Sequence, residues 1–385
     1  MTGFGPEHLP YGVFRRAGEA PRVGVRFGEG VLDLAALALD GLLDEDPALF
    51  AQPSLNAFMA QGPATWSRVR EALRALTAGP DAEPAAVPLD EAELLLPIAV
   101  GDYADFYSSI YHAENVGRMF RPDGEALMPN WRHLPVGYQG RAGTVVVSGT
   151  PIRRPRGQRR DDQDAPPVFG PSTRLDIELE LGFVVGTPSA LGEPIPIDRA
   201  LDHLFGVVLL NDWSARDIQA WEYRPLGPFL AKSFATSIAA WVTPMEAVLA
   251  RRVPAPAPDP EPLPYLREEP WALDLDLEVE LSGTTISRTS ARHLYWSAAQ
   301  QLAHLTVNGA SVRTGDLFGS GTISGPERDQ RGSLLELAWN GSDPIVLADG
   351  TQRGFLEDGD EVVLRGAGGD ALTLGEVRGR IESAT

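Results

Sequence analysis

The segment Leu204-Phe-Gly-Val-Val-Leu-Leu210 is apolar without a break and then stops at Asn211-Asp212. A run with no polar residue predicts a strand covered on both faces, because a strand with one wet face alternates. The chain must therefore supply layers for both sides of a sheet, and 385 residues with 43% hydrophobic side chains suffice for that. Asp212 then lies at the mouth of a buried strand, where an unpartnered charge is costly. A cation or Arg216 would satisfy it; so would a helix beginning near Trp213 with Asp212 as its cap. Both readings stay open.

Beyond residue 97 glycine, proline and β-branched residues are abundant, with candidate strands at Thr144–Val147, Leu175–Val185, Leu273–Leu281 and Glu361–Leu364. This larger part reads as predominantly β. Ahead of it, Val23–Phe27 and Gly30–Leu34 suggest a small β-rich module, within which Trp66, Val69, Leu73 and Leu76 recur at helical spacing behind Pro63 and predict one helix. Gly79–Pro88 (GPDAEPAAVP) reads as a linker, so the domain boundary is expected between residues 80 and 97. Arg153–Arg160 (RRPRGQRR) carries five arginines followed by Asp161-Asp162, and is expected to be a solvated loop. Proline occupies every second position from Pro254 to Pro264, which forbids helix and predicts a stiff, extended surface connection. No internal repeat is visible.

Thirty-three basic against 53 acidic residues leave a net charge of −20. Such a chain repels a phosphate backbone and an anionic bilayer, so neither nucleic acid nor membrane is expected as its partner, whereas small molecules and cations are. With no cysteine, disulfides, thiolate metal sites and a cysteine nucleophile are all excluded. The amino terminus lacks the basic start and apolar core of a signal peptide, and no run reaches the 18 or so apolar residues of a membrane span, so a cytoplasmic location is expected.

Three places concentrate chemistry. In Asp176-Ile-Glu-Leu-Glu180 the acidic residues are two apart, so a strand would project all three from one face. They need water, arginine or a cation between them; a solvated acidic edge is the alternative. Gly101–His112 holds Asp102, Asp105, three tyrosines and one of six histidines. Carboxylates without sulfur suit a hard cation, Mg²⁺ or Ca²⁺. His112 can move a proton near pH 7 if a carboxylate orients it, although a lone histidine is more often a structural hydrogen-bonder. Lys232, set among apolar and small residues, either reaches the surface or is held as a fixed positive charge. Gly319-Ser-Gly-Thr-Ile-Ser-Gly325 matches neither dinucleotide nor phosphate-loop spacing, so nucleotide binding is rejected.

Several words of the sequence together resemble the fumarylacetoacetase family: Leu9-Pro-Tyr-Gly-Val-Phe-Arg15, Tyr103-Ala-Asp-Phe-Tyr-Ser-Ser109, Ala126-Leu-Met-Pro-Asn-Trp131, Val145-Val-Val-Ser-Gly-Thr-Pro-Ile-Arg-Arg154, Asn211-Asp-Trp-Ser-Ala-Arg-Asp-Ile-Gln219, Gly319–Pro326 and Gly332–Leu337. They are collinear over nearly the whole chain. Gln139 departs by standing where the family pattern suggests histidine, and Ile110-Tyr111 replace a more polar pair.

The resemblance implies a mainly β protein with a small SH3-like barrel over residues 1–97, a large β-roll catalytic domain over 98–385, and assembly as a homodimer. It implies hydrolysis of a carbon–carbon bond in 4-fumarylacetoacetate, the last step of tyrosine and phenylalanine catabolism. Carried over by position, Asp105, Glu178, Glu180 and Asp212 would ligate Mg²⁺ or Ca²⁺, with Lys232 and Thr236 beside them, while Asp102 and Asp176 drop out. His112 would be the general base paired with Glu336. Arg216, Gln219 and Lys232 would meet developing negative charge, and Tyr107, Arg121, Tyr138, Gln219, Tyr223 and Thr322 would contact substrate. Related enzymes of the superfamily, such as acylpyruvate hydrolases or oxo-acid decarboxylases and hydratases, are the alternative. A non-catalytic metal-binding β protein is a third reading, against which stand His112, Gln219 and Lys232 beside the acids.

Overall fold

In the computed structural model the described residues are 4–79, 86–160, 162, 164–369 and 372–385. The expected linker therefore falls largely outside them, as does Asp161. Near the amino terminus β1 (Tyr11–Arg15), β2 (Arg22–Phe27) and β3 (Gly30–Asp33) form an antiparallel meander. The expected helix is α1 (Pro63–Thr77), with Pro63 in the first turn, where its missing N–H is no loss. Val69 and Leu73 are buried and the Trp66 ring meets Phe205 edge-on at 5.1 Å.

The larger part is built on β4 (Tyr103–Phe106), α2 (Ile110–Phe120), β5 (Gly137–Gln139), β6 (Leu179–Val185), β7 (Leu204–Asp212), α3 (Arg216–Glu222), β8 (Thr236–Ile238), β9 (Trp241–Pro244), β10 (Leu317–Gly319) and α4 (Leu334–Leu337). One sheet runs β3-β2-β1-β9-β7-β6-β10-β4-β5. Gly12 of β1 pairs with Trp241 of β9, and only a glycine fits there, since an added Cβ would stand 2.6 Å from the indole. Among the described residues these pairings form an open path rather than a closed ring. The molecule is mainly β.

β7 is the apolar run of the sequence, and all nine of its residues are buried. Its pairing continues to Asp212, opposite Thr236 of β8, so the acid belongs to the strand. The alternative helix near Trp213 does not occur: Ser214–Ala215 is extended against Leu175–Asp176, and α3 starts at Arg216. A second sheet of five strands, Thr284–Ser290, Asp276–Leu281, Glu361–Ala367, Thr373–Glu382 and Ile152–Arg153, covers one side. Gly379 in it admits the Trp213 indole, which would lie 2.5 Å from an added Cβ.

Three expectations are corrected, the first being Leu273–Leu281, which is not one strand: Leu273 ends the strand Trp271–Leu273, and the next begins at Asp276. Leu175–Val185 is not one strand: Leu175–Asp176 stops, and β6 starts at Leu179, because the Asp176 carboxylate accepts from its neighbour Ile177 N and from the distant Leu334 N, both at 2.8 Å. Arg153–Arg160 is not a loop. Ile152–Arg153 is an edge strand of the second sheet and Arg156–Arg159 pairs with Val168–Pro171. The arginines find local partners: Arg154 bonds Ser172 O and Leu356 O, and the Arg160 guanidinium covers Trp221 at 4.3 Å. The proline segment forms no helix or strand between residues 255 and 263, but it is not uniformly extended: it bends at Asp259-Pro260, and a 3-10 helix, Pro264–Leu266, starts at its last proline. No helix among the described residues is long and apolar enough to cross a membrane.

Candidate active site

Strand register brings four acids to one end of the main sheet. Asp105 on β4 stands opposite Gly319 of β10 on one side and Tyr138 of β5 on the other. Glu178 precedes β6 and Glu180 lies on it two residues further, so the two share a face. Asp212 closes β7. One carboxylate oxygen from each of Asp105, Glu178, Glu180 and Asp212 lies within 4.8 Å of the others, and all four side chains are buried.

Two cations serve this group unevenly. Lys232 Nζ donates to Glu178 Oε2 and, at 2.6 Å, to Asp212 Oδ2; Arg216 Nη2 donates to Glu178 Oε1 at 2.7 Å. Burial would raise the Glu178 carboxyl, but Lys232 and Arg216 outweigh it and hold the group well below the usual range. The reverse holds opposite. Burial, and then the charge of Asp212, push Asp105 well above its ordinary value, and burial with Asp105 and Glu178 does the same to Glu180. Burial also raises Asp212. Tyr138 OH bridges Asp105 and Asp212 at 2.9 Å each. Asp105 Oδ1, Glu180 Oε1 and Asp212 Oδ1 have no hydrogen-bond partner among the described residues. Three orphaned buried carboxylate oxygens, converging with a fourth acid and no sulfur or nitrogen ligand, are a donor set for a hard divalent cation. Gly319 keeps the cradle open: a Cβ there would lie 2.6 Å from both Asp105 Oδ1 and Glu180 Oε2.

Beside the acids α2 and α4 bring His112 and Glu336 together. His112 Nδ1 is 2.6 Å from Glu336 Oε2, and its Nε2 is 3.9 Å from Glu178 Oε1. Glu336 is fully buried. Burial would raise its carboxyl, yet His112 and the side chains of Asn115 and Ser333 outweigh that and keep it low. His112, Asp105, Glu178 and Glu180 open on a cavity of about 400 Å³ walled on its apolar side by Phe120, Val136, Leu226 and Leu335.

The same cavity gathers Tyr107, Tyr138, Arg216, Gln219, Tyr223, Lys232 and Thr322. The Tyr107 ring meets His112 edge-on at 5.1 Å, Gln219 Oε1 accepts from Arg216 Nη1 at 3.0 Å, and Thr322 Oγ1 is buried without a partner among the described residues. Thr236 is buried opposite Asp212. Arg121 does not line the cavity; its guanidinium donates to Ala126 O at 2.6 Å. Asp102 is exposed and paired with Arg313, away from the acids. Asp176 is fully buried as an anchor, holding Arg216 Nε at 2.8 Å and the first backbone N–H groups of α4. Reasoning from the sequence missed Tyr103, whose buried hydroxyl sits beside the acids, and Asn115, Ser324 and Ser333 around Glu336. Ser333-Leu-Leu-Glu336 is a capping-box pattern, and that signal was available.

An oriented histidine beside a buried acid cluster that could hold a cation, in one cavity at the end of a mainly β sheet, is equipment suited to an enzyme of metal-assisted hydrolysis. Family models agree in detail: that described as fumarylacetoacetate (FAA) hydrolase C-terminal matches residues 103–382, and fumarylacetoacetase N-terminal matches 7–97. The chain belongs to the fumarylacetoacetase family. It is 50% identical to fumarylacetoacetase of Homo sapiens, covering 97% of this chain and 94% of that one, and 46% identical to that of Arabidopsis thaliana, covering 96% and 93%. Among solved structures, a fumarylacetoacetate hydrolase from Exiguobacterium antarcticum shares the fold with a TM-score of 0.56 at 16% identity, covering 97% of this chain and 99% of that one.

Proposed function

We propose that this enzyme hydrolyses the carbon–carbon bond of 4-fumarylacetoacetate to fumarate and acetoacetate (EC 3.7.1.2), the last step of tyrosine and phenylalanine breakdown. The observation that carries the reading is the His112–Glu336 pair set beside the four buried carboxylates in a chain similar to fumarylacetoacetases over nearly its whole length. Asp105, Glu178, Glu180 and Asp212 would hold Mg²⁺ or Ca²⁺, with Lys232 and Thr236 alongside. Bound there, the ion would supply Lewis-acid stabilisation of the enolate charge that a split β-diketone releases.

The chain's own groups do the rest. Glu336 holds the Nδ1 proton of His112, which leaves Nε2 free to take a proton from water as that water attacks the carbonyl carbon. The imidazolium formed is matched by the Glu336 carboxylate, which stays ionised. The oxygen that gains charge at the attacked carbon is met by Arg216, Gln219 and Lys232, donors already fixed before reaction. When the carbon–carbon bond breaks, its electron pair stays with the acetoacetate fragment, and His112 is placed to return the proton. Tyr107, Tyr138, Tyr223, Thr322 and Gln219 would contact the substrate from the cavity wall. Arg121 would join them on releasing Ala126 O, offering a bidentate fork to a carboxylate.

Residues 1–97 and 98–385 would act as two domains, the chain as a cytoplasmic homodimer. Incubating the purified protein with fumarylacetoacetate and, separately, with acylpyruvates tests the reading. Fumarate and acetoacetate should form fastest; preference for an acylpyruvate, or no turnover in the presence of Mg²⁺ or Ca²⁺, would overturn it.

A further inference from the structure

We propose that Asn115 is a positioning residue of the hydrolytic pair: it fixes one oxygen of Glu336 and thereby aims the other at His112 Nδ1. This rests on the functional reading above and names a residue that reading does not use. His112 and Asn115 are three apart on α2, so they share one helix face. Both reach the same carboxylate, His112 at Oε2 and Asn115 Nδ2 at Oε1, 2.9 Å away. One helix thus grips both oxygens of one acid.

The two oxygens are not equally served. Oε2 also accepts from Ser324 Oγ at 2.9 Å and Ser333 Oγ at 2.8 Å, whereas Oε1 has Asn115 alone among the described residues. Turning about the last bond of Glu336, a broad torsion, swings both oxygens together. Asn115 opposes that swing from the far oxygen, adding to the contacts that hold Oε2. Glu336 is fully buried, so water cannot replace a lost donor without opening the site. The amide must present its nitrogen, because its oxygen facing a carboxylate would repel. Without Asn115 the Nδ1–H···Oε2 bond loses alignment, and with it the tautomer that leaves Nε2 as base.

The test combines kinetics with low-field proton NMR of the resting protein, where the resonance lost in His112→Ala identifies the Nδ1 proton. Asn115→Leu, branched at the same atom but without a donor, should lower kcat roughly 10- to 100-fold with KM little changed, the worth of one hydrogen bond to a charged group. The same variant should lose the low-field resonance or move it upfield. Asn115→Ala, which also lacks a donor, should behave alike, and Asn115→Gln should recover part of both signals. A folded Asn115→Leu protein with unchanged kcat and resonance would overturn the proposal. If that variant does not fold, equal resonances in the Ala and Gln variants would do so. The NMR comparison needs no substrate, so a wild-type protein inert toward fumarylacetoacetate would sink the functional reading while still deciding whether Asn115 orders the pair.

Discussion

Gly319→Ala adds one methyl group and should disable the acid cluster. Gly319 is not in the left-handed region, so alanine meets no backbone penalty and only the space decides. The new Cβ would stand 2.6 Å from Asp105 Oδ1 and from Glu180 Oε2, whereas ordinary van der Waals contact begins at 3.4 Å. Both oxygens must therefore retreat by about 0.8 Å, well outside the roughly 0.2 Å tolerance of ligand distances around an ion. Disturbing groups that merely orient ligands costs 10- to 100-fold in affinity, so displacing two ligands should cost at least about 100-fold, or about 2.7 kcal/mol. Titration calorimetry with Mg²⁺ or Ca²⁺ reads the affinity and circular dichroism confirms the fold. A folded Gly319→Ala protein with undiminished affinity would refute the proposal that Asp105 and Glu180 ligate the ion.

Replacing His112 with alanine should abolish hydrolysis while leaving ion affinity, measured in the same calorimeter, nearly intact; a variant that still turns over would remove its role as base. The acid limb of stability should report Glu336. Its folded carboxyl is held below the usual value, so the ionised form stabilises the fold above the ordinary carboxylate range near 4, and that contribution disappears as pH falls through the folded value. The gap in urea midpoint between wild type and Glu336→Gln should accordingly narrow on lowering the pH from about 6 to about 3. A gap constant over that range contradicts the assignment.

Patterning alone found much of the site. Alternation in Asp176–Glu180 and the end of an apolar strand at Asp212 pointed to carboxylates where the structure puts them, because both signals are local. It did not choose among Asp102 and Asp105, or among Asp176, Glu178 and Glu180; the resemblance did. That choice depends on register, as Asp105 faces Gly319 and Tyr138 while Asp102 faces solvent and Arg313. Asp176 has the same parity as Glu178 and Glu180, yet the backbone breaks after it because α4, over 150 residues away, supplies the N–H groups that capture it. The arginine run misled for a related reason: its charge was visible, but the strand that pairs with it, Val168–Pro171, was not. Asn115 was one turn from a noted histidine, and what made it matter was a glutamate 221 positions on.

The central claim is that four buried acids gather an ion on which turnover depends. Protein stripped with a chelator and supplied with fumarylacetoacetate, followed by the loss of ultraviolet absorbance, tests it directly. Turnover should cease in the stripped protein and return when Mg²⁺ or Ca²⁺ is restored; a stripped enzyme, verified free of metal, that works at its original rate would contradict the account.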